Sequence, residues 1–112
     1  AIFNQEVAEC KAMIHRDQES LKNIWLRDFS LDEPANELMS SQSGLPFYAS
    51  LSRMVDNFNS MGELVFTSGV EQVRKLKSNG QLDKEFKRAF FHTWIYKNGI
   101  WKLSIKTYTL VD

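Results

Sequence analysis

His92 stands among Phe90, Trp94 and Tyr96 at two-residue spacing, which puts an imidazole on one face of a strand surrounded by rings. There a neutral histidine can donate and accept at once, or exchange a proton near pH 7. The same surroundings suit a core imidazole satisfied by a backbone carbonyl or by Tyr108, and the spacing leaves both readings open. Glu33 directly precedes Pro34, in a turn where a solvated carboxylate is the plain reading. His15 and Glu19 lie four apart, but two ligands make an incomplete metal site and Asp17 interrupts the helix between them. A solvated pair is expected there, and no metal.

Cys10 is the one cysteine, which excludes an intramolecular disulfide framework and a Cys-rich zinc site. On a helical apolar stripe it reads as a small buried hydrophobe. No serine sits in a Gly-x-Ser-x-Gly elbow, and the five glycines are scattered rather than gathered into a phosphate-cradling loop, so no cofactor is expected. The 14 Lys and Arg balance the 14 Asp and Glu, and a net charge of zero lacks the attraction that phosphate backbones need; no nucleic-acid partner is expected. Arg74-Lys75-Leu76-Lys77 reads as a solvated strand end. No long apolar run is present, so no membrane partner is expected either. A first residue Ala1 fits initiator-methionine removal, signal-peptide cleavage or trimming. The compartment stays open, with the cytoplasm slightly favoured over export.

The elements that must hold these side chains follow from periodicity. Phe3, Val7, Cys10 and Ile14 recur at steps of four, three and four, with Glu6, Glu9 and Lys11 between them, and predict an amphipathic helix over 3–14. A second helix begins near Asp17, a capping carboxylate, with Leu21, Ile24 and Trp25 on one stripe. Phe29 to Glu33 alternates as a short strand stopping at Pro34, and Asn36 to Ser43 reads as loop. Strands are predicted over Tyr48 to Asn59 and Glu63 to Lys75, the latter with Gly69 as a candidate bulge, and a hairpin tip at Asn79-Gly80. Asn98-Gly99 then joins Phe86–Tyr96 to Ile100–Val111 through a type I′ turn.

On the last strand Trp101, Leu103 and Ile105 alternate with Lys102, Ser104 and Lys106, predicting one buried and one wet face. The strand before it is apolar on both faces, with Ala89, Phe91, Thr93 and Ile95 opposite the His92 side. The helices can cover one face of an antiparallel sheet, so a second copy is expected on the outer one. One α+β domain spanning 1–112, homodimeric through its outer sheet face, is the expectation; its eight Phe, three Trp and three Tyr must build something large and apolar.

Taken in order, three segments resemble the nuclear transport factor 2-like superfamily, in particular uncharacterised bacterial members of its SnoaL-like group. Asp28-Phe29 through Pro34-Ala35-Asn36 is similar to a D-F-x-x-x-x-P-x-N segment. Gly62-Glu63-Leu64-Val65 through Gly69-Val70-Glu71 looks like a G-D-x-V…G-x-E strand, and Phe90 to Trp101 like an F-T-x-x-W…x-G-x-W hairpin. The resemblance implies a cone-shaped α+β barrel with N-terminal helices on a strongly curved sheet and a small-molecule pocket at its mouth. It also aligns Glu33 with the place where the ketosteroid-isomerase branch keeps an aspartate general base, and His92 with a polar, cavity-facing position. Glu33 and His92 are therefore the expected catalytic pair. A small apolar molecule is the expected ligand, with Trp25, Phe29, Met39 and Met54, together with Phe58, Trp94 and Tyr108, as its expected contacts. The first helix offers no tyrosine as oxyanion donor, which argues against steroid isomerisation. The relatives' range leaves two functions open, a cofactor-independent acid–base enzyme or a non-catalytic module that binds a ligand or a protein.

Overall fold

The computed structural model describes residues 1–31 and 47–111. In chain order they form α1 (Ile2–Ile14), α2 (Gln18–Ile24), β1 (Trp25–Leu31), β2 (Tyr48–Met61), β3 (Leu64–Lys75), β4 (Phe86–Lys97) and β5 (Ile100–Val111). The two helices pack on a curved, unclosed five-stranded sheet of order β1-β5-β4-β3-β2, giving an α+β cone. The sheet is mixed rather than wholly antiparallel, because β1 runs parallel to β5.

Local chemistry accounts for the joints. Arg16, at φ 53°, reverses the chain after α1. Asp17 then caps α2, its carboxylate accepting from the Ser20 N–H at 3.2 Å. Trp25 leaves α2 directly into β1, earlier than the alternation at Phe29 suggests. The β4–β5 hairpin closes through Asn98 and Gly99 at φ 54° and 84°, as the type I′ turn requires. The predicted bulge near Gly69 lies in the partner strand: the β2–β3 register slips between Val55 and Asn57. Gly69 itself is a close-approach position, where a Cβ would run into the Met54 carbonyl oxygen.

Two expected faces are inverted. The α1 stripe Phe3, Val7, Cys10 and Ile14 is not the buried face: Phe3 and Val7 are 56% and 67% exposed, Cys10 and Ile14 pack half-buried at the core's edge, and Ile2, Glu6, Glu9, Ala12 and Met13 point inward. Both stripes have the spacing of a helix face, and the buried one carries the charges because the sheet supplies them with partners. On β5 the ladder shifts between the pairs Thr93↔Ile105 and Trp94↔Leu103, so Ser104 is an extra residue. A one-residue bulge flips every side chain beyond it to the other face. Lys106 therefore turns inward and Ile105 outward, the reverse of the expected wet and buried assignments, and Tyr108 turns inward beside Lys106.

The core divides into two clusters, one around Met13, Leu21, Val73, Phe90 and Tyr108, the other around Ile2, Ile24, Val65, Trp94 and Leu103. No helix among the described residues is long and apolar enough to cross a membrane.

Candidate functional site

Between those clusters α1 and strands β2 to β5 each place charged side chains in one buried network. Arg53 is its hub. Its Nη1 donates to Glu6 Oε1 at 2.9 Å, its Nη2 to Glu9 Oε1 at 2.6 Å and its Nε to Glu71 Oε2 at 2.6 Å. Arg88 Nε donates to the other Glu71 oxygen at 2.7 Å, while Lys106 Nζ and Trp25 Nε1 donate to Glu9 Oε2 at 2.6 and 3.0 Å. Three carboxylates thus face three cations, all buried. Such burial is tolerable only when each charge is paired and its remaining lone pairs are hydrogen-bonded. Burial pushes Glu6 up, but His92, Arg53 and Thr67 pull harder in the other direction and hold its carboxyl at about 2. Glu9 and Glu71 are likewise lowered, with burial opposed mainly by Lys106 and Arg53 at Glu9 and by Arg53 at Glu71.

His92 joins the network at one nitrogen alone. Its Nδ1 lies 3.0 Å from both Glu6 oxygens, of which Oε2 also accepts from Trp94 Nε1 at 3.0 Å and from the Thr67 hydroxyl. An ionised carboxylate only accepts, so Nδ1 carries the proton. Burial lowers the imidazole's pKa, the Glu6 hydrogen bond opposes this, and the Arg53 and Lys106 charges reinforce the lowering. The neutral ring then presents an unprotonated Nε2, which is buried and has no hydrogen-bond partner. Tyr108, on the neighbouring rung of the same sheet face, is the second such group. Its ring lies 3.6 Å from the Arg88 guanidinium carbon, and its hydroxyl is buried without a partner. Burial pushes this phenol well above its ordinary value, so it stays a donor.

The network reaches the surface at a groove of about 460 Å³ between α1 and β2. Phe3, Val7, Ile14, Leu51 and Val55 wall it, with Glu6 and Arg53 also lining it. Cys10 lines it as well, half-buried, its thiol donating weakly to the Leu51 carbonyl. Among the described residues no three His, Cys, Asp or Glu side chains gather as a metal site.

Of the residues expected from the sequence, His92, Trp94 and Tyr108 come together on the inner face, and Trp25 reaches the same network through Glu9. Phe58 is half-exposed and stacks at 5.8 Å on Phe3, which lines the groove. Met54 is not with them: it pairs with Val70 on the outer face and is 67% exposed. Glu33 and Met39 lie outside the described residues, and Phe29 falls within β1.

The sequence matches no protein-family model and no curated protein. Solved structures do match. An NTF2-like protein of unknown function in nutrient uptake from Rhodospirillum rubrum superposes with a TM-score of 0.83 at 16% identity, covering 100% of this chain and 99% of that one. An NTF2-like protein from Cytophaga hutchinsonii gives 0.76 at 19% identity, over 98% and 95% of the two chains. The chain has the nuclear transport factor 2-like fold. The association domain of CaMKII from C. elegans shares the NTF2-like fold too, at TM-score 0.76 and 13% identity, over 96% of this chain and 92% of that one.

Within this NTF2-like cone, periodicity missed Glu6, Glu9, Arg53, Glu71, Arg88 and Lys106. The usable signal was parity: Arg88 shares its strand face with Phe90, His92 and Trp94, and a charge on a face that must be buried demands opposite charges from its neighbours.

Proposed function

We propose that this single NTF2-like domain binds a small, neutral, largely apolar molecule and performs cofactor-independent acid–base chemistry on it. The observation that supports this is the pair of orphaned polar atoms, His92 Nε2 and Tyr108 Oη; among the described residues the other buried side-chain polar atoms are paired. Buried polar groups in folded proteins are almost always satisfied, and two left open on adjacent rungs of one sheet face fit a ligand's polar group. Nε2 offers a lone pair and Tyr108 a proton, the requirements for taking a proton beside a carbonyl, or from a hydroxyl, while stabilising the developing oxygen charge.

In this reading His92 is the base and Glu6 orients it through Nδ1, as the third group of a triad orients a histidine. Glu33, ahead of Pro34, is the proposed second acid–base group. Trp25, Phe29, Met39, Phe58 and Trp94 are its proposed apolar surroundings, and the groove beside Glu6 is a natural seat for an apolar body. A thermal-shift screen with neutral ketones and hydroxy compounds tests it, because a ligand of the folded state raises the melting temperature by mass action. A hit should lose its shift in Tyr108→Phe, and turnover should vanish in His92→Gln and in Glu33→Gln with stability nearly unchanged in the latter. Hits that bind equally well to His92→Gln and Tyr108→Phe would overturn the assignment.

A second reading is favoured by the outer face. Phe91 and Ile105 are 45% and 40% exposed there, Phe66 packs on Phe91 at 5.9 Å, and Met54 and Met61 extend the apolar surface along β2. We infer that this face pairs with a second copy, Thr93 and Ile95 being already more covered within the protomer. The CaMKII association domain has the same fold. Light scattering at micromolar concentration should report a dimer that Phe91→Glu dissociates; a parent monomer refutes it.

A further inference from the structure

In the β4–β5 ladder His92 faces Lys106 directly. Side chains so paired have Cβ atoms about 5 Å apart. Both residues are fully buried, and Lys106 is there only because the bulge at Ser104 turns it inward. We propose that Lys106 is a positioning residue for His92: its inward ammonium, on the rung opposite the imidazole, holds His92 neutral with the proton on Nδ1 and Nε2 free. This rests on the reading of His92 as the base, and concerns the form in which that base is kept.

The reason is charge balance in a dry interior. The groups that bear on His92 are Glu6 and Glu9 from α1, Arg53 from β2, Glu71 from β3, Arg88 from β4, and Lys106 with the neutral Tyr108 from β5. With the imidazole neutral, the three carboxylates and three cations cancel. Glu6 on its own would draw a second proton onto His92, because an adjacent carboxylate favours imidazolium. Arg53 is already committed to Glu6, Glu9 and Glu71. Lys106 is the cation on the imidazole's own rung. Without it the cluster is left one negative charge in excess, and His92 is the group able to take up the compensating proton. A protonated His92 cannot accept at Nε2, so the base would be lost with every atom of the histidine in place.

The test is an NMR titration of the His92 ring in a His15→Asn background, which removes the other imidazole. Lys106→Met should raise the His92 midpoint by about one pH unit or more, the size of effect a neighbouring charge exerts. Lys106→Arg should return it close to the parent value. If the methionine variant does not fold, Lys106→Gln keeps a donor to Glu9 while removing the charge, and should show the same rise. A midpoint that stays put or falls in a folded, uncharged variant overturns the proposal. This readout needs no ligand and no turnover, whereas the role of His92 as base stands or falls on His92→Gln in the ligand screen, so either idea can fail alone.

Discussion

At the scale of the residue, Tyr108 separates a structural from a functional interior. Its ring supports the Arg88 guanidinium and packs in the Met13–Phe90 cluster, but its hydroxyl has no partner. A hydroxyl held in place for packing alone would carry a cost with no return, since leaving a buried polar group unsatisfied costs roughly 1–3 kcal/mol. Tyr108→Phe keeps the ring and removes that cost. The variant should be as stable as the parent or more stable, by up to about 2 kcal/mol in urea unfolding, while losing ligand response. A clear loss of stability would mean that the hydroxyl is hydrogen-bonded in the folded protein, and would remove one of the two atoms on which the site is built. His92 was legible at this scale because its ring-lined parity is a local pattern. Its partner Glu6 was not, because nothing local distinguishes a glutamate paired across 86 residues from one facing water.

At the scale of the element, the strands and the Asn98-Gly99 hairpin were readable because turn chemistry and β-branched runs act within a few residues. Faces were readable only where no bulge intervened. On β4 the alternation survives and Phe90, His92 and Trp94 point inward together; on β5 one extra residue, Ser104, exchanges the fates of Ile105 and Lys106. For α1 the apolar stripe picked the wrong face, because the buried one mixes Ile2, Ala12 and Met13 with Glu6 and Glu9, which reach Arg53, Lys106 and His92 on the sheet. Gly69 is where the β2 bulge constrains its neighbour. Its backbone lies so close to the Met54 carbonyl that an added methyl group must displace β2. Gly69→Ala should therefore cost about 1–3 kcal/mol, as overpacking does, and because Arg53 precedes the displaced residue the change should also weaken the Arg53 ion pairs. Chemical denaturation measures the loss, and an alanine variant of unchanged stability would show that β2 yields freely at its bulge.

At the scale of the whole molecule, the buried network ties stability to pH with a sign that can be worked out group by group. His92 binds its proton less tightly in the folded protein than at the ordinary imidazole value of 6.5, so below that pH the unfolded chain holds more protons and stability falls as pH falls. Glu6, held at about 2 against an ordinary 4.5, contributes stability that is present above 4.5 and is lost as pH drops toward 2. Glu9 and Glu71, also lowered, add to the same loss. The two windows do not coincide, so the melting temperature should decline in two stages on acidification, a shallow one starting near 6.5 and a steep one starting near 4.5. The stages belong to different residues and can be pulled apart. His92→Gln has no imidazole to charge and should lose the shallow stage while keeping the steep one, because Arg53 still pairs all three carboxylates. Melting curves from pH 8 to pH 3 decide it. If the shallow stage persists in His92→Gln, a group other than His92 is titrating, and if the parent shows no decline between 6.5 and 4.5, then His92 accepts a proton as readily inside the fold as outside it and is not the neutral base that the site requires.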